Sequence, residues 1–165
     1  MKMSVPSRLR LWASLCFFVL GIAATATPSR ANDQDAGAVR HVLMSTWDRA
    51  DERLSVDPVT LGSEYALAGW TQGDRGGRAL LKRGHGGWTV HVCGGDHLLD
   101  AQLLRKIGVS DGESKKLIAD QKSAERKLPA KKVAMFSLFD SLVEMDAAGH
   151  HPPAADHGQH KKGHH

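Results

Sequence analysis

Four runs between residues 54 and 94 decide the fold: LSVDPVTLG (54–62), EYALAGWTQ (64–72), GRALLKR (77–83) and GWTVHVCG (87–94). Each is short, rich in β-formers and bounded by turn residues, the composition of strands in an antiparallel meander. GDRGG (73–77) and GHGG (84–87) have hairpin-loop composition, with glycine available wherever φ must be positive. Pro58 has no N–H to give to a ladder, so the first run is an edge strand or a broken one. The expectation is a meander of three or four strands.

The period changes on both sides of this block. Upstream, residues 36–50 (AGAVRHVLMSTWDRA) place Val39, Val42, Leu43 and Trp47 at helical spacing, with Met44 beside them. Downstream, Asp96 caps a helix through Ile107 that Gly108 ends. Ser110 followed by Glu113 is a capping box for a helix through about Lys127. Pro129 fits the first turn of a third helix carrying Val133, Phe136, Phe139 and Val143. The fold class is therefore α+β: an N-terminal helix packed on an antiparallel meander, as in cystatin-like or NTF2-like domains, with three C-terminal helices over the second face. Residues 149–165 (GHHPPAADHGQHKKGHH) have no apolar periodicity and read as a disordered tail.

Residues 1–31 read as an export signal. MKMSVPSRLR is a positive n-region, LWASLCFFVLGIAA an apolar stretch too short to span a bilayer comfortably, and Ser29 and Ala31 suit a cut before Asn32, with Ala26 as a second position. The mature chain is then 32–165, a single α+β domain over 32–148 plus the tail, periplasmic and with no stable membrane insertion. The net charge of +4 resides in the signal: Lys2, Arg8, Arg10 and Arg30 leave 18 basic and 18 acidic residues behind. A near-neutral chain gives no support to nucleic-acid binding, and nucleotide-binding glycine motifs are absent.

The chemistry lies in histidine. Six of the ten histidines, His150, His151, His157, His160, His164 and His165, fall in the tail. Neutral imidazole binds first-row divalent ions, copper(II) most strongly, while zinc and nickel suit the same donors. A purification tag would be contiguous; these histidines are interrupted by Asp156, Lys161, Lys162 and two prolines. A secondary candidate set is HVCGGDH (91–97): on a regular strand His91 and Cys93 share a face, and His97 follows four residues later. Cys93 is the one cysteine of the mature part, so it is a buried small hydrophobe, a metal ligand or a reactive thiol, and no intramolecular disulfide is available to it. His41 and His85 read as surface residues.

VDPV (56–59), AGWTQGD-x-GGRALL (68–81), W-x-x-x-x-CGGD-x-L (88–98), KLP-x-x-KV-x-x-F-x-x-F (127–139) and the His-rich end resemble the small proteobacterial proteins described as copper uptake system-associated. The resemblance implies a periplasmic accessory encoded with copper-acquisition components such as an outer-membrane receptor. It implies no reaction and brings no ligand set. The expected function is non-enzymatic copper handling through the tail. Two alternatives stand beside it: an NTF2-like enzyme with a pocket at the sheet near Cys93 or His91, and a structural adaptor with an incidental tail.

Overall fold

The computed structural model describes residues 29–145, with side chains from residue 32. The chain forms α1 (Ser29–Trp47), then β1 (Leu54–Leu61), β2 (Tyr65–Gln72), β3 (Arg75–Gly84) and β4 (Gly87–Gly94). A 3-10 turn (Asp96–Leu99) leads to α2 (Ala101–Lys106), α3 (Asp111–Glu125) and α4 (Ala130–Met135), and β5 (Val143–Glu144) closes the order. The five strands make one antiparallel sheet in sequence order, so the expected α+β meander is present and gains a strand. Among the described residues, no helix is long and apolar enough to cross a membrane.

The sheet is buried on both faces. On one, Val39 and Leu43 of α1 pack against Leu54, Val56, Ala66, Ala68, Leu81 and Val90. On the other, Leu104, Leu117 and Ile118 of α2 and α3 cover Tyr65, Leu67, Leu80 and Val92. Each fully buried leucine contributes about 1.5–3 kcal/mol of transfer free energy, and with both faces covered β2 from Tyr65 to Gly69 and β3 from Gly76 to Leu81 are buried continuously rather than alternately.

Two register shifts set which residues face which layer. In β1, Val56 pairs with Trp70 and Val59 with Ala68, so Asp57 and Pro58 together face one residue of β2. That shift lets Leu54 and Val56, then Val59 and Leu61, all point to α1 despite their odd spacing. Pro58 sits on the edge strand, as its missing N–H requires. In β4, Leu80 pairs with Val92 and Leu81 with Val90, and His91 has no partner across β3. The β2–β3 connection is the two residues Gly73 and Asp74, of which only Gly73 takes positive φ (60°), the requirement of a type II′ turn.

The helical segments depart from expectation in instructive ways. α1 begins at Ser29, ahead of the expected cut before Asn32, and ends at Trp47, where Asp48 turns to accept the Leu54 N–H at 2.8 Å. The helix expected from Asp96 to Ile107 breaks at Asp100, whose carboxylate caps α2 by accepting the Gln102 N–H at 2.7 Å. Ser110 caps α3 as expected, accepting the Glu113 N–H at 3.3 Å. Glu113 does not complete the capping box; it accepts the Glu64 and Tyr65 N–H groups and ties α3 to the β1–β2 turn. The third helix is the largest correction. It stops at Met135, Phe139 lies in the segment after it, and Val143 belongs to β5.

The reason is a close approach. Phe136 lies over Gly69, where an added Cβ would stand 2.8 Å from its ring, and Gly95 passes against the Phe139 carbonyl. Gly76 abuts the Met135 carbonyl at 2.6 Å from the position of an added Cβ. A straight helix could not follow this path from Phe136, on the α3 side, to Phe139 and Met145, on the α1 side.

Candidate functional site

The tail histidines His150, His151, His157, His160, His164 and His165 lie outside the described residues, as does the expected signal before Ser29. The secondary set lies inside them and does not assemble. Because of the register shift at His91, the i, i+2 geometry fails in β4. His91 turns toward the α2–α3 face, its ring centroid 6.3 Å from that of Tyr65, whereas Cys93 packs in the layer under α1. His97, on the 3-10 turn, is exposed, with Nε2 3.2 Å from the Asp140 carbonyl oxygen. His41 on α1 and His85 at the β3–β4 hairpin are exposed and separate. Among the described residues, no three His, Cys, Asp or Glu side chains are placed to hold an ion.

What surrounds Cys93 is a cavity of about 250 Å³ between α1 and the sheet. Leu43 and Trp47 form its helix side, and Leu54, Trp70 and Cys93 its sheet side. Phe139 and Met145, carried across by the segment after α4, close the third side. The Trp70 and Phe139 rings meet edge-on at 5.9 Å. Trp70 takes its position because Gly77, its partner on β3, has no side chain; an added Cβ there would stand 2.8 Å from the indole. The polar lining residues are Gln72 and Arg75. Gln72 donates to the Trp47 and Glu52 carbonyls at 2.7 and 2.8 Å, fixing the corner between α1 and β1.

Burial pushes the Cys93 thiol up to about 12. It is therefore protonated at neutral pH, and the cavity lining holds neither imidazole nor carboxylate to take its proton. The site is apolar, aromatic and thiol-bearing, suited to enclosing a ligand's hydrocarbon surface rather than to nucleophilic chemistry.

A polar cluster absent from the sequence expectations occupies the opposite face. Arg78, only 2% exposed, makes two hydrogen bonds to Glu125 of α3, at 2.7 and 2.8 Å, and one to Asp96 at 2.8 Å. Its guanidinium also stacks 5.5 Å from the Phe136 ring centroid. Gln121 donates to Glu125 at 2.9 Å and accepts from Thr60 at 2.9 Å, and Ser137 donates to Asp96 at 2.9 Å. Burial pulls the Arg78 guanidinium down, but the Glu125 and Asp96 carboxylates outweigh it and hold it above its ordinary value. The cluster joins β1, β3, α3 and the segment after α4 at one end of the sheet. Its trace in the sequence is an arginine between GG and ALL, and two polar residues, Gln121 and Glu125, on the same α3 face as Leu117. Gly69, Gly77, Arg78, Gly95 and Asp96 all belong to the unusual strings of the meander, so those strings encode how the C-terminal segment seats on the sheet.

Compared with known proteins, the chain matches no protein-family model, no curated protein and no solved structure.

Proposed function

We propose that this protein is an exported, non-enzymatic copper-handling accessory, in which the folded domain docks to a partner and the His-rich segment collects the ion. The observation that carries the reading is the distribution of imidazole: six of ten histidines fall within residues 150–165, and the four in the described residues stand apart. Closely spaced imidazoles on a polar segment bind copper(II) without a preformed cage, and zinc or nickel would use the same donors more weakly or comparably. The resemblance of the meander strings to copper uptake system-associated proteins supports the choice of copper, a periplasmic location and an outer-membrane copper receptor as the class of partner. A helix laid across an antiparallel sheet is also the arrangement expected of a cystatin-like or NTF2-like scaffold.

The choice of a non-enzymatic role over an active site built on His91 and Cys93 is supported by their placement in opposite layers and by a thiol that stays protonated in an apolar lining. The test is copper(II) titration of residues 32–165 against a chain stopped at Ala148. The full chain takes up copper, and the shortened one loses most of that uptake while keeping its unfolding midpoint. Equal stoichiometry and affinity in the two would overturn the reading.

A further inference from the structure

We infer that the cavity beneath α1 binds a small amphipathic monocarboxylate, with an apolar body and one acid group at the Arg75 end. A cavity of about 150 Å³ lined by Leu, Ile and Phe takes up benzene, and this one, at about 250 Å³, is larger and similarly apolar. Trp47, Trp70 and Phe139 give its walls flat faces against which a hydrocarbon chain or ring can pack.

Arg75 selects the head group. It is the charged residue of the lining, and its side chain is 55% exposed. Only its Nη2 is engaged, by Glu52 and by Gln72 Oε1 at 3.4 Å; Nε and Nη1 make no hydrogen bond among the described residues. Glu52 is also shared with Arg49, which in turn reaches Asp51 at 3.7 Å, so the acid facing Arg75 already serves a second guanidinium. Gln72 has both amide donations committed to backbone carbonyls. A ligand carboxylate therefore finds donors on Arg75, and the amide beside it offers no competing donor.

The experiment titrates octanoate and octan-1-ol into residues 32–165 and follows tryptophan fluorescence. Trp47 and Trp70 line the cavity, while Trp88 is held away from it by Asp35 and Arg83. Octanoate should give a saturable change at about tenfold lower concentration than octanol, the effect of a charge-assisted hydrogen bond. Arg75→Gln should remove that preference, bringing the octanoate midpoint to that of octanol. Cys93→Leu, which fills the cavity, should abolish both responses; should it fail to fold, the Arg75→Gln comparison still decides. No saturable response in the unmodified chain would overturn the inference, as would equal binding of acid and alcohol, or octanoate binding untouched by Arg75→Gln.

Discussion

Replacing Glu125 by Leu strands a guanidinium that is 2% exposed, and the size of the effect follows from what Arg78 keeps. Removing one partner of a buried ion pair costs about 3–5 kcal/mol. Arg78 retains Asp96 at 2.8 Å and the Phe136 ring, but Asp96 is 68% exposed and its help is screened by water. The expected loss is about 3 kcal/mol, or a fall in melting temperature of about 12 °C for a domain of this size. Arg78→Met should lose a comparable amount, because it leaves Glu125 buried with only Gln121 donating to it. The double variant removes both charges and fills the space with apolar side chains. Its remaining defect is the Gln121 amide, left without an acceptor at a cost of about 1 kcal/mol. Urea unfolding of all four proteins, followed by tryptophan fluorescence, should therefore find the double variant about 2 kcal/mol more stable than either single one. A Glu125→Leu loss below about 1 kcal/mol, or a double variant equal to the sum of the singles, would refute a coupled buried pair.

Gly69→Ala and Gly95→Ala should each lose about 1–3 kcal/mol, since the new methyl meets Phe136 or the Phe139 carbonyl; Gly86→Ala, with open space around it, is the control in the same melts. Cys93 should resist iodoacetamide in the folded protein at about pH 8 and react at once in urea. Its raised thiol value also means that the stability it contributes is complete below about pH 9 and is lost as pH rises toward about 12; a rise in stability over that window would contradict its burial. The Arg83 guanidinium holds Asp35 below the usual carboxylate range, so the pair contributes above about pH 4 and its stability is lost as pH falls through the lowered value. The pair is partly solvated, so Asp35→Asn should lose under about 1 kcal/mol at pH 7 and less in acid, read by thermal melts across that range; a larger loss at the acidic end would contradict the assignment.

The strand block was legible because its signals are local. Turn glycines at 73, 84, 86 and 87 mark the hairpins, Pro58 marks the edge, and Val39, Leu43 and Trp47 repeat at helical spacing. What failed were features that depend on distant partners. The β4 register shift at His91 cannot be read from a period of two, and it separated the residues of the secondary metal set. Phe139 and Val143 continued an apolar helical stripe in the sequence, yet Gly69, Gly76 and Gly95 admit the chain so closely that it leaves the helix and crosses to the other face. The cavity was equally hidden, since Trp47, Trp70, Cys93 and the Phe139–Met145 segment come from four separate parts of the chain. Arg78 and Glu125 are 47 residues apart, and only their polarity within apolar patterns hints that they meet.

The central claim, copper handling through the histidine segment, is tested most directly by the metal content of the untagged protein recovered from a periplasmic extract. Mass spectrometry of the digested protein should find copper above zinc and nickel in the unmodified chain. Copper should fall to background when His150, His151, His157, His160, His164 and His165 are all replaced by Asn. A protein isolated without copper, or one whose copper survives those six replacements, would contradict the account.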